Sequence, residues 1–166
     1  MSKAIRDQFR FALDVNVTKN VNYAPSSLDL KMGRFREMVA TLQIFSASRD
    51  AGTETYDFYL ISGDGMGEWD IAHWPQIAST GAKVYEARLF ADIVPGVVTT
   101  GANPDVLLND PGTIKTDTAS SNQGPKTLAA GTVRHGPWGH KLRYELVVTN
   151  APVAGVNYTI KIQARS

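Results

Sequence analysis

Apolar and polar residues alternate with a period of two along much of this chain, and this pattern constrains the fold more than any other feature. In the first such run the apolar residues are Phe9, Phe11, Leu13, Val15 and Val17. Side chains of a β-strand point alternately to its two faces, so the run predicts a strand with one buried face. Further strands are predicted at residues 38–45, 56–61, 69–73, 85–93, 142–148 and 156–162.

Turn-forming residues predict how the strands connect. Gly63, Gly65 and Gly67 supply the backbone freedom of a turn, so residues 56–73 are predicted to form a hairpin with its turn at 62–68. A turn at 150–155 predicts a second antiparallel hairpin at the C-terminus, paired inside the main sheet. Seven or eight strands without a long amphipathic helix predict an all-β protein. We expect an antiparallel β-sandwich or jelly roll, with a closed barrel as the alternative.

One domain is predicted at residues 9–166, preceded by an N-terminal arm at 1–8 that is either flexible or helical. A long excursion interrupts the domain at 101–126, where seventeen of twenty-six residues are Gly, Pro, Asn, Asp, Ser or Thr. Its few aliphatic side chains cannot offset the entropy of ordering the segment. We therefore expect this excursion to be either solvated or ordered by a partner.

Composition excludes several functional classes. The chain has 166 residues, no cysteine and a formal net charge of +1. The lack of cysteine excludes disulfide scaffolds, cysteine-ligated metals and cysteine nucleophiles. The balanced charge argues against nucleic acid as the main partner, and the lack of a long apolar run argues against a membrane span or a signal peptide. Two Asn-x-Thr sequons, at Asn16 and Asn157, are interpreted as chance matches.

Residues that often serve catalysis or metal binding are present, but not in an established pattern. The candidates are Asp64, Glu68 and Asp70 for calcium, Glu54 with Glu68 or Asp70 for glycoside hydrolysis, and His73, His135 and His140 for zinc. The carboxylates do not match a calcium-binding EF-hand loop, and the histidines lack a recognised zinc spacing. We predict that the chain is not an enzyme and uses no metal or cofactor.

Three tryptophans support an alternative binding function. Trp69, Trp74 and Trp138 form a sugar-stacking platform if they are exposed, whereas tryptophan in a sandwich is more often part of the core. The alternative function is therefore a carbohydrate-binding module of a tail or cell surface. Exposure of the rings distinguishes the two interpretations.

Charge is distributed unevenly along the chain. Residues 50–70 carry six acids and no base, whereas residues 134–166 carry five Lys or Arg and one Glu. Either the two segments are adjacent strands whose charges pair, or they are opposite patches that favour head-to-tail association of copies. We expect self-association, as a dimer or trimer.

Two stretches resemble small β-sandwich virion proteins of tailed bacteriophages. YDFYLISGDG at 56–65, followed by EWDIAHWPQI at 68–77, is similar to a structural hairpin of those proteins. GPWGHKLRYELVV at 136–148 is similar to the glycine turn and strand that close their sandwich. The resemblance covers about a fifth of the chain. It implies a fold and a virion setting, and it carries over no catalytic residue.

The resemblance implies a capsid decoration or cement protein on the outside of the assembled head, made in the host cytoplasm and bound to the major capsid protein. Many weak contacts on one shell add up through effective concentration. The predicted partner-binding residues are Lys3, Ile5, Arg6, Phe9 and Arg10 in or beside the arm, and Val106, Leu107 and Leu108 in the excursion. A head-completion or tail component is a further alternative.

Overall fold

A computed structural model of the chain describes residues 8–91, 115–116, 128–134 and 138–166. Apart from one short 3₁₀ turn, Met32–Arg34, the described elements are strands. They are β1 (Gln8–Lys19), β2 (Leu28–Asp29), β3 (Glu37–Ala47), β4 (Thr55–Gly63), β5 (Glu68–His73), β6 (Lys83–Phe90), β7 (Lys115–Thr116), β8 (Thr132–Val133), β9 (Lys141–Thr149) and β10 (Val156–Arg165).

The strands form two sheets packed against each other. Sheet A has the order β1-β10-β3-β6, and sheet B has the order β2-β9-β4-β5-β8-β7. All neighbours are antiparallel except the short pair β7 and β8. Because β1 pairs with β10, β2 with β9, β3 with β6 and β4 with β5, the eight main strands follow the path of one long hairpin folded over itself. That arrangement is a jelly roll, so the predicted fold class is confirmed, whereas no ladder between the described strands closes the sheets into a barrel.

The core lies between the two sheets and uses the inward face of every long strand. On β3 these residues are Met38, Ala40, Leu42 and Ile44, all at most 1% exposed, as the alternation predicts. Their counterparts on sheet B include Phe58, Leu60 and Leu146. The Phe58 ring meets the Tyr158 ring edge-on at 4.8 Å between centroids, which ties the middle of one sheet to the middle of the other.

The predicted hairpin at 56–73 is confirmed. Strands β4 and β5 pair antiparallel, and the connection is Asp64 to Gly67, shorter than predicted because both strands extend further into the glycine-rich segment. The Asp64 carboxylate accepts hydrogen bonds from the backbone N–H groups of Met66 at 2.8 Å and Gly67 at 3.0 Å. This turn leaves the Met66 side chain 95% exposed at its tip.

The predicted C-terminal hairpin is wrong. Strand β9 lies in sheet B between β2 and β4, and β10 lies in sheet A between β1 and β3. The six-residue connection at 150–155 is long enough to cross the roughly 10 Å between stacked sheets. The apolar faces of the two strands therefore meet across the core, where the rings of Tyr144 and Tyr158 lie 5.8 Å apart.

The alternation in β1 is interrupted between Ala12 and Val17. Register shifts flank Asp14, which lies opposite the buried Ile160 instead of on the solvent face. Val15, predicted to be buried, is 61% exposed, and Asn16 adopts a positive φ of 51°. An extra residue in one strand of a pair exchanges the two faces of the residues that follow, which explains the reversal.

Several predicted boundaries change or fall outside the described residues. Gln8 and Phe9 belong to β1 and not to a helical arm, and β6 ends at Phe90 instead of residue 93. Residues 1–7 lie outside the described part of the chain, as does the 101–126 excursion except for β7. The predicted partner-binding residues Lys3, Ile5, Arg6, Val106, Leu107 and Leu108 lie there too.

Candidate functional site

The carboxylates of residues 50–70 all have partners within the chain. Four of them accept a hydrogen bond from a backbone N–H group: Asp50 from Val153, Glu54 from Ala51, Asp64 from Met66, and Asp70 from Leu128. The other two have side-chain partners, which are His73 and Gln76 for Asp57, and Arg143 for Glu68. Within the described residues no group of three or more His, Asp or Glu side chains is arranged to hold a metal ion. The candidate calcium, glycosidase and zinc groupings therefore gain no support from the described geometry.

Arginines of the basic C-terminal segment pair with these acids inside one molecule. Arg143 contacts Glu68 at 2.8 Å and Glu145 at 3.2 Å, and Arg134 contacts the fully buried Asp70 at 3.4 Å. Two of the six acids, Glu68 and Asp70, are therefore paired with arginines of the basic segment inside one molecule, although β4 separates β5 from β9 in sheet B. Self-association remains a prediction, without the support of two free opposite patches.

The His73 side chain has a hydrogen-bond partner at each of its two ring nitrogens. Its Nδ1 lies 2.8 Å from the Leu128 carbonyl oxygen, and its Nε2 lies 3.1 Å from Asp57 Oδ1. The second oxygen of Asp57 accepts from Gln76 at 2.9 Å, and the Tyr59 ring stacks on the imidazole at 3.9 Å. Both imidazole nitrogens therefore lie within hydrogen-bond distance of an oxygen atom. The two contacts tie the His73 side chain to the backbone of Leu128 and to the side chain of Asp57.

The electrostatics around His73 follow from its burial and its neighbours. Burial acts to raise the pKa of Asp57, but hydrogen bonds from His73 and Gln76 outweigh it and hold that pKa below its usual value. Burial, together with the nearby charges of Asp57, Asp70 and Glu145, raises the pKa of Tyr59 to about 12. The Asp57 carboxylate is thus favoured in its charged form beside a ring that donates to it.

A segment that we call the strap, residues 128–134, includes β8, which pairs with β5 in sheet B, and its residue Leu128 lies beside the side chains of His73 and Asp70. The Leu128 N–H donates to Asp70 at 2.6 Å, and the Gly131 N–H donates to the His73 carbonyl at 2.8 Å. The Arg134 N–H donates to the Ile71 carbonyl at 2.9 Å. Leu128 is 3% exposed, so the strap also buries apolar surface. The contact between the strap and β5 is not predicted by the sequence, because a short segment after a polar excursion shows no periodicity.

The tryptophan platform is largely excluded. Trp74 is fully buried and Trp138 is 5% exposed, so neither ring presents a face to a sugar. The Trp138 Nε1 donates to the Met32 carbonyl at 2.7 Å, which anchors it in the core. Trp69 is partly buried and packs against the same core.

The two described histidines of the candidate zinc group, His73 and His140, have separate hydrogen-bond partners. His73 is tied to Asp57 and the strap, whereas His140 is exposed and contributes its carbonyl to the N–H groups of Leu30 and Met32. His135 lies outside the described residues.

Two of the eight predicted partner-binding residues are described. Phe9 is partly buried, and its ring packs on Phe35 at 5.6 Å, so it serves the core more than a partner. Arg10 is exposed, next along β1. Of these two residues, Arg10 is the one available for an intermolecular contact.

The chain matches no protein-family model, no curated protein and no solved structure. None of the described helical residues forms a segment long and apolar enough to cross a membrane.

Proposed function

We propose that this protein is a structural component of a bacteriophage virion, and specifically a decoration or cement protein that binds the outside of the assembled head. The observation that carries the proposal is the strand order, in which the two sheets run β1-β10-β3-β6 and β2-β9-β4-β5. This jelly-roll order is used by viral capsid domains and by lectins. The resemblance of residues 56–77 and 136–148 to phage virion proteins favours the first of these classes.

The way the chain uses its polar groups also supports a structural role. Asp57, Glu68, Asp70 and His73 are all engaged in contacts that hold sheet B and the strap together. Such a network stiffens a small domain, which suits a protein that must reinforce a shell. The carbohydrate-binding alternative is less well supported, because two of the three tryptophans are buried.

The arm has a defined point of attachment in this proposal. Gln8, the first residue of β1, lies opposite Arg165 at the outer edge of sheet A. Deleting residues 1–7 leaves every described strand intact, so the domain is expected to fold and to lose affinity for shells. Undiminished binding of the truncated protein would show that the arm is not a contact.

Copy number tests the proposed function. Quantitative mass spectrometry of particles purified from the source phage measures this chain against the major shell protein. A ratio near one, or a simple fraction of it, supports decoration. A handful of copies per particle identifies a tail or head-completion component, and absence from particles overturns the virion proposal.

A further inference from the structure

The outer face of sheet A presents an ordered set of charged side chains. Register places Arg10 opposite Gln163, Gln163 opposite Val39, and Val39 opposite Arg88. The next row toward one end of the sheet is formed by Gln8, Arg165, Glu37 and Phe90, and the next toward the other by Ala12, Lys161, Thr41 and Glu86. Residues between these rows point into the core, so the three rows face outward.

Positive charge predominates on this face. Four cations, Arg10, Arg88, Lys161 and Arg165, share it with two acids, Glu37 and Glu86. Lys161 and Arg165 flank Gln163 along β10, and Arg10 lies beside Gln163 on β1, so strand geometry places Arg10 about 7 Å from each of them and the two β10 cations about 13 Å apart.

The acid Glu37 is shared between two of the cations. It lies 3.6 Å from Arg88 and 4.0 Å from Arg165. Arg10 and Lys161, in contrast, form no ion pair with any residue in the described ranges. The uncompensated positive charge of the face is therefore concentrated on these two side chains, at the β1 edge of the sheet.

The opposite outer face does not complement this charge. On sheet B, Glu68 and Glu145 are held by Arg143, and Asp70 is buried beneath the strap. The outer face of sheet B in a second copy therefore offers few acids without a hydrogen-bonding partner to the sheet A face. The two acids within the face also oppose a uniform phosphate backbone, whereas a protein surface can present both signs of charge.

From these observations we infer that the outer face of sheet A docks on an acidic surface of another protein, through Arg10 and Lys161. The inference rests on the proposed function and identifies the acidic surface as the outside of the phage shell. Attraction between exposed charges is screened by salt, so binding weakens as ionic strength rises.

Charge reversal on the full-length chain tests this inference. The test variant is Arg10→Glu/Lys161→Glu. The matched control is Lys31→Glu/Lys141→Glu, which makes the same change in charge at two exposed lysines beside β2 and β9, at the edge of sheet B. Thermal unfolding and circular dichroism of each variant establish that the fold is retained.

Binding is measured by co-sedimentation with shells purified from the source phage without this protein. The test variant is expected to bind about tenfold more weakly or worse, and the control within about twofold of the unmodified chain. Equal binding of all three proteins, or a larger loss in the control, overturns the inference.

A separate probe distinguishes failure of the surface from failure of the proposed function. If the unmodified chain does not bind shells, the proposed function fails. The affinity of the unmodified chain for poly-L-glutamate is then compared with its affinity for single-stranded DNA of equal charge. Preference for poly-L-glutamate that is lost in the test variant supports the acidic-protein surface. Tighter binding of DNA, or binding unaffected by the substitutions, overturns it.

Discussion

Asp14 shows how one residue can depart from the pattern of its strand. The bulge in β1 turns its carboxylate inward, where the Tyr144 hydroxyl donates a hydrogen bond to it. The Tyr144 hydroxyl in turn lies 2.7 Å from that of Tyr158, so Tyr158 is left as the donor to Tyr144. Burial raises the pKa of both tyrosines above the usual value, and they remain protonated donors at neutral pH.

Removing the central hydroxyl of this chain is expected to cost more than removing the terminal one. Tyr144→Phe leaves both the Asp14 carboxylate and the Tyr158 hydroxyl without their partner, at a cost of about 2–3 kcal/mol in unfolding free energy. Tyr158→Phe keeps the bond between Tyr144 and Asp14 and is expected to cost about 1 kcal/mol. Urea unfolding at pH 7 measures both values. A larger loss in Tyr158→Phe would contradict the bonding order.

At the scale of elements, the strap depends on β5 for its position. Its backbone bonds to Ile71 and His73, and the His73 side chain bonds to the Leu128 carbonyl. The strap buries two large apolar side chains, Leu128 and Val133, and these polar contacts add to that packing in holding it to β5.

Loss of the His73 side chain is expected to loosen the strap without unfolding the sandwich. In His73→Ala the Gly131 and Arg134 amides should exchange with deuterium at least about tenfold faster, since local opening becomes easier. Gln76→Ala is the control, because Gln76 bonds to the same Asp57 but makes no described contact with the strap. Hydrogen exchange followed by NMR gives the rates. Equal rates in the two variants would show that His73 does not hold the strap.

The connection between β9 and β10 sets a second element-scale constraint. Gly155 has a φ of +80°, and a Cβ built there would overlap the backbone carbonyl of Lys19 at the end of β1. The connection can cross from sheet B to sheet A at this point only because the side chain is absent.

Gly155→Ala is therefore expected to destabilise the fold by about 3 kcal/mol or more, through backbone strain together with a steric overlap. Gly81 also has a positive φ, +103°, but open space where a Cβ would lie. Gly81→Ala isolates the strain and should cost about 1–2 kcal/mol. Thermal and urea unfolding of the two variants measure the difference, and equal losses would argue against the close approach to Lys19.

At the scale of the whole molecule, the acidic segment links stability to pH. The pKa values of Asp50, Glu54, Asp57, Asp64 and Glu68 all lie below their ordinary values of 3.8 for Asp and 4.5 for Glu. A carboxyl whose pKa is lower in the folded state contributes stability that is complete above its unfolded pKa and is lost as pH falls through its folded pKa.

We expect the unfolding free energy to change little between pH 7 and pH 5 on account of these groups and to fall steadily below about pH 4.5. Urea unfolding at a series of pH values measures this dependence. Asp57→Asn should be less stable at pH 7 and should lose less on acidification, because one of the linked groups is gone. If the unfolding free energy of Asp57→Asn falls with pH in parallel with that of the unmodified chain, the hydrogen bond between Asp57 and His73 contributes nothing to the pH dependence of stability.

Much of the fold was predictable from short-range patterns. The buried face of β3, the buried face of β6 and the hairpin around Asp64 were predictable from residues near one another in sequence, because alternation and glycine placement act locally. The sheet membership of β9 and β10 was not predictable, because a turn of six residues permits either a hairpin or a crossing. The strap escaped prediction because its contacts with Asp70 and His73 are more than fifty residues distant in sequence.

By itself, the sequence determined the all-β class, most of the long strands and the buried face of each regular strand, because the period of two is a property of the strand alone. Only the tertiary structure decided the jelly-roll order, the inward turn of Asp14, the burial of Trp74 and Trp138, and the internal pairing of the acidic segment. These features depend on which strands meet across the core and across each ladder, and that choice is made by contacts between residues far apart in the chain.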